Sequence, residues 1–135
     1  KGFMEALPPD MPVTHSFADD YSFDAGRAEM LHLVQNPLAE AYFCGDDVLS
    51  IGVLSALKDS NVSVPDDVGL IGFNDMEMAG WESIALTTIH QPIKQIITSS
   101  VELIVAMLAD PDRYPEARLF PCHVVERGTL RSVVG

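Results

Sequence analysis

Apolar positions along the chain change period from segment to segment, and the change separates helices from strands. Gly2-Phe3-Met4-Glu5-Ala6-Leu7 reads as the end of an amphipathic helix, stopped by Pro8-Pro9. Val13 to Phe17 is a short extended stretch, and Asp19-Asp20-Tyr21-Ser22 is the polar loop after it. Ser22 is a good N-cap for a helix over 23–35, with Ala28, Leu31 and Val34 on one face and Asn36-Pro37 ending it. Ala41-Tyr42-Phe43-Cys44 predicts a strand that stops at Gly45-Asp46-Asp47. A helix over 47–59 follows, with Val48, Ile51, Gly52, Leu54, Ser55 and Leu57 as its buried stripe. Val68-Gly69-Leu70-Ile71-Gly72-Phe73 is apolar without alternation, the pattern of a strand covered on both faces. Residues 74–85 predict a loop or short helix carrying the single Trp, Trp81, and Leu86-Thr87-Thr88-Ile89 a brief strand. Pro92 opens a long helix over 92–109 whose apolar positions include Ile96, Ile97, Val101, Ile104, Val105 and Leu108. Asp110-Pro111-Asp112 breaks it, and Leu119 to Leu130 reads as one or two closing strands.

Alternating strands and helices imply right-handed crossovers and an open parallel α/β sheet flanked by helices. Ligands in such sheets bind beyond the C-terminal strand ends. That rule points to Tyr21, to Gly45-Asp46-Asp47 and to Asn74-Asp75.

Composition narrows the function classes. A chain of 135 residues, 47% hydrophobic and 21% charged, has the makings of a folded domain. Its net charge of -12, with no Lys/Arg cluster, argues against direct binding to nucleic acid or an anionic membrane. There is no signal-peptide pattern and no apolar run near the length of about 18 residues that a membrane span needs. Cys44 and Cys122 sit in apolar sequence, as reduced cysteines of a cytoplasmic protein do. Lys1 is not a Met, so a segment upstream is expected. The four histidines show no metal-ligand spacing, and no nucleophile elbow, dinucleotide or P-loop motif occurs. Neither a catalytic residue, a metal nor a cofactor is expected, and no enzyme activity.

Four segments resemble the LacI/GalR family of bacterial transcriptional regulators. Phe43-Cys44-Gly45-Asp46-Asp47-Val48-Leu49-Ser50-Ile51-Gly52 is similar to its F-x-x-N-D-x-x-A-x-G segment. Val64 to Asp75 resembles its V-P-x-D segment running into a strand that ends G-(F/Y)-D-(D/N). Leu86-Thr87-Thr88-Ile89-His90-Gln91-Pro92 is similar to L-T-T-(I/V)-x-Q-P, and Val125-Glu126-Arg127-Gly128-Thr129 to (V/I)-x-R-x-S/T. They come in family order and spacing over nearly the whole chain. The resemblance implies a two-lobed, periplasmic-binding-protein-like (type I) core that holds a small effector between its lobes. It implies that 1–90 is most of the C-terminal lobe, 91–118 a crossover and long helix of the other lobe, and 119–135 the closing strands. It also implies a sugar or sugar acid as effector, homodimer formation or higher self-association, and operator DNA read by a helix-turn-helix outside this chain. On that reading the 92–109 helix lacks the sheet it packs on. A solute-binding protein of an ABC-type sugar transporter shares the architecture; it would need an export signal and no dimer interface.

Carried over position by position, the resemblance implies effector contacts from Tyr21, Phe43, Asp46, Asn74 and Gln91. Asp46 stands where many members carry Asn, and Asn74 where most carry Asp, so the site keeps one carboxylate on a different strand end. A carboxylate, an amide and a ring suit a polyol, whose adjacent hydroxyls need paired acceptors and a flat apolar face. Each residue also has a plainer reading. Tyr21 and Phe43 can cover the core edge, Asn74 can shape a turn, and Gln91 can bond backbone at the crossover. At the helix start, Asp47 reads as the structural cap and Asp46 as the site residue. The resemblance places Asp47, Ser50, Ile51, Leu54, Met78 and Trp81 at a dimer interface; packing of Trp81 within its own loop is the alternative.

Overall fold

The computed structural model describes residues 2–132. Helix α1 spans Gly2–Ala6 and α2 spans Phe23–Leu33, with the Ser22 hydroxyl accepting from the Ala25 amide at 3.2 Å as the N-cap. Strand β1 is Ala41–Phe43, α3 is Asp47–Asp59, β2 is Gly69–Asn74 and β3 is Thr88–His90. A 3-10 turn at Glu77–Gly80 lies between β2 and β3, α4 is Ile93–Ala109 and β4 is His123–Val125. The sheet order is β1-β2-β3-β4. The first three strands are parallel, as expected, whereas β4 runs antiparallel to β3 with His90 opposite His123.

The core lies between α2, α3 and the sheet. Met30, Val53, Ala56, Leu57, Val68, Leu70, Ala79 and Leu86 form one buried cluster. Burying a side chain the size of Leu57 or Leu70 contributes about 2 kcal/mol each. Gly26 and Gly52 let the two helices meet backbone to backbone: a Cβ on Gly26 would strike Leu49, and one on Gly52 would strike Phe23 and Arg27.

Several sequence expectations change here. Val13–Phe17 is irregular and exposed instead of a strand, because Pro12 removes a donor and Thr14, His15 and Ser16 separate the apolar ends. Tyr21 therefore follows no strand. Leu119–Leu130 shortens to the three residues of β4. On α2 the buried positions are Gly26 and Met30, while Ala28 is exposed. On α3 the buried stripe is Asp47, Ser50, Gly52, Val53, Ala56 and Leu57, so Val48, Ile51, Leu54 and Ser55 are only half-buried. Two hydrogen-bonded polar residues, Asp47 and Ser50, head that stripe, and a reading by apolar period passes over them. Both cysteines are free; Cys44 is half-buried, with burial pushing its thiol up to about 11 against an opposing hydrogen bond from Ser50. Cys122 is exposed, contrary to its apolar sequence setting. Among the described residues, no helix is long and apolar enough to cross a membrane.

Candidate functional site at the strand ends

The C-terminal ends of β1, β2 and β3 bring three expected site residues into one hydrogen-bonded relay. Gln91, just past β3, donates through Nε2 to Asn74 Oδ1 at 2.5 Å. Asn74, the last residue of β2, donates through Nδ2 to Asp46 Oδ2 at 2.6 Å. Asp46 Oδ1 accepts from the Val48 amide at 2.7 Å. Asn74 thus turns its nitrogen to Asp46 and its oxygen to Gln91, as suits an acceptor on one side and a donor on the other.

Asp46 thus belongs to the relay and is also the N-cap of α3, and the cap expected at Asp47 belongs to its neighbour. Asp47 is fully buried beneath the sheet end. Its Oδ1 accepts from the Thr88 hydroxyl at 2.5 Å and its Oδ2 from the Met76 amide at 2.7 Å. Gly72 makes room for it, since a Cβ there would strike the Asp47 carboxylate. Ser50 is also fully buried and donates to the Asp46 carbonyl at 2.8 Å. Asp47 and Ser50 therefore do not lie on the outer face of α3, and neither is available to a partner chain. Ile51, Leu54 and Met78 are half-buried and Trp81 is 51% exposed.

The aromatic candidates divide. Phe43 stacks on Phe3 of α1 with centroids 4.6 Å apart and meets Phe73 edge-on at 6.4 Å. Tyr21 stays 74% exposed in the loop before α2, and the relay does not include it.

Beside the relay lies an ion-pair cluster that sequence reasoning passed over. Asp75 accepts from Arg127 Nη2 at 2.7 Å through Oδ1 and pairs with His90 Nδ1 at 2.9 Å through Oδ2. Arg127 Nη1 also donates to the Leu86 carbonyl at 2.8 Å, and its amide to Thr87 Oγ1 at 2.9 Å. Burial opposes ionisation of Asp75, but the hydrogen bonds and charges of Arg127 and His90 outweigh it and hold the carboxyl below its ordinary range. The available signal was Arg127 itself, the single Lys or Arg within residues 119–130 and in need of an acid.

Among the described residues, no group of three or more His, Cys, Asp or Glu side chains is placed to hold a metal ion. The relay combines amide donors, amide acceptors and a carboxylate, groups able to make directional hydrogen bonds. An open groove of about 350 Å³ runs past Gln91 between α4 and Leu119-Phe120.

A periplasmic binding protein-like domain model matches residues 1–130. The chain belongs to that family. The periplasmic-binding-protein-like fold expected from the motifs is thereby established. The chain is 29% identical over 121 residues to the ribose operon repressor of Escherichia coli, covering 89% of the chain and 37% of that protein. It is 34% identical over 138 residues to the HTH-type transcriptional repressor PurR of Vibrio parahaemolyticus, covering 98% and 41%. Among solved structures it resembles a LacI family transcriptional regulator from Enterococcus faecium with bound ribose. That likeness has 25% identity and a TM-score of 0.71, covering 81% of the chain and 40% of the other. The chain thus spans less than half the length of each of these relatives.

Proposed function

We propose that this chain is the effector-binding portion of a LacI-family DNA-binding transcriptional regulator, with a sugar or sugar acid as effector. The observation that carries the reading is the Asp46–Asn74–Gln91 relay, which sets a carboxylate and two amides at three neighbouring strand ends. Paired acceptors and donors at that spacing match the adjacent hydroxyls of a polyol. Residues 1–90 form most of the C-terminal lobe, 91–118 belong to the other lobe, and 119–135 return, the last three lying outside the described residues. Ile51, Leu54, Met78 and Trp81 contribute to a homodimer interface. A helix-turn-helix outside this chain reads operator DNA, the protein works in the cytoplasm, and it catalyses no reaction. The relatives' names as repressors support this reading over a transporter's solute-binding protein.

Thermal unfolding of the full-length protein, with D-ribose, D-glucose, cellobiose, D-gluconate and hypoxanthine added singly, tests it. A true effector at a hundredfold over its Kd stabilises by about 2.7 kcal/mol. The Asp46→Ala protein should lose that response. A sugar that stabilises native and Asp46→Ala protein equally would sink the assignment, as would a panel in which only hypoxanthine acts.

A further inference from the structure

We infer that Asp75, Arg127 and His90 form a positioning cluster that holds the Asn74 and Gln91 amides in their ligand-facing arrangement. This deepens the proposed function and rests on its assignment of Asn74 and Gln91 as effector contacts.

The backbone supplies the first argument. Asn74 has φ 117° and Asp75 has φ 56°, two consecutive left-handed conformations in residues that are not glycine. Such conformations persist only where the surroundings over-determine them. Asp75 is so determined, since each of its carboxylate oxygens is engaged, one by Arg127 and one by His90.

Placement along the chain supplies the second. Asp75 directly follows Asn74, and His90 directly precedes Gln91. One side-chain hydrogen bond therefore joins the neighbours of the relay's two amides. The β2–β3 ladder sets Asn74 opposite His90, and the Asp75–His90 contact carries that pairing one residue past the end of β2, beside the 2.5 Å contact of Asn74 with Gln91. Arg127 locks the pair from a third direction, being held to Leu86 and Thr87 by separate bonds.

None of the three side chains belongs to the apolar cluster of the core, which Arg127 meets through its bond to the Leu86 carbonyl. Loss of the positioning cluster should loosen the strand ends before it loosens the lobe. Through Arg127, two residues beyond β4, and His90, at the end of β3, it further ties the relay to both strands that lead towards and away from α4.

Hydrogen exchange of side-chain amides, followed by NMR on the 135-residue chain without ligand, tests the inference. In Arg127→Gln, exchange of the Asn74 Nδ2 protons should rise about tenfold or more, the scale set by one lost charge-assisted hydrogen bond. Backbone amides of Leu57 and Leu70 should keep their protection. Arg127→Lys, which retains the charge without the fork, should fall between native and Gln. Asp75→Asn, which tolerates a positive φ and keeps the size, should repeat the effect of Arg127→Gln and decides the matter if that variant does not fold. Native exchange at Asn74 in either folded variant overturns the inference. So does a loss of protection at Leu57 and Leu70 by the same factor, because the cluster would then be general scaffold. A sugar panel without response would overturn the effector reading and leave this measurement standing.

Discussion

Helices α3 and α4 are both amphipathic by sequence, yet they end in opposite environments. Six of the thirteen residues of α3 are buried, and none of the seventeen of α4. α4 is nevertheless richer in large apolar side chains: Ile97, Val101, Ile104, Val105 and Leu108 are all more than half exposed. The side-chain hydrogen bonds that reach α4 from the chain beyond it are peripheral, with Arg118 Nη1 donating to Ser99 Oγ at 2.9 Å and reaching Glu102 at 3.5 Å. Surface pairs of this kind contribute little to stability. Apolar period thus tells which face of a helix seeks cover; whether the cover exists depends on what else the chain packs there.

A matched pair of truncations puts the largest number on that difference. Leu57→Ala, at a fully buried site, should cost about 2–5 kcal/mol in urea unfolding. Ile104→Ala, 57% exposed, should change stability by no more than about 0.5 kcal/mol in dilute solution. If Ile104→Ala costs as much as Leu57→Ala, α4 is covered in solution. Its cost should then grow with protein concentration, as self-association requires.

The same contrast explains what could be read in advance. β2 was legible because an unbroken apolar run from Val68 to Phe73 has few alternatives in a chain with helices on either side. The long helix was legible in extent, starting one residue after Pro92. The stripe on α3 was misread because its buried face begins with Asp47 and Ser50, whose burial depends on partners far along the chain, at Thr88 and Met76, or on local backbone. For the same reason two interface candidates turned out to be internal. Asp46, Asn74 and Gln91 were found through motif positions, and the structure brings those three together. Asp75, His90 and Arg127 were missed as a group, because an ion pair spanning 52 residues leaves no local pattern.

Two adjacent aspartates offer a finer version of the comparison, within one turn of α3. Asp47→Ala removes the acceptor of a buried hydroxyl and of a backbone amide, and should cost about 2–3 kcal/mol. Asp46→Ala removes the helix cap and should cost about 1 kcal/mol in the absence of any sugar. Equal costs in urea unfolding would mean that Asp47 is not sealed from water and that the buried stripe starts further along the helix.

The smallest effect concerns the seam between the packed region and the chain that returns from α4, and there the sign decides. Arg127 and His90 hold the Asp75 carboxyl below its ordinary value in the folded chain, against the opposing effect of burial. The unfolded chain therefore binds a proton at this position at higher pH than the folded chain does. Stability from Asp75 is complete above the ordinary carboxyl range and declines as pH falls through the lowered folded value. Urea midpoints of the native chain should fall between about pH 5 and pH 3, and those of Asp75→Asn should fall less over the same interval. Parallel curves would mean that the carboxyl titrates alike in folded and unfolded chains, so that Arg127 does not hold it in solution. A shallower curve for Asp75→Asn would locate part of the acid sensitivity at the point where the chain returning from β4 meets the end of β2, through the Arg127–Asp75 pair.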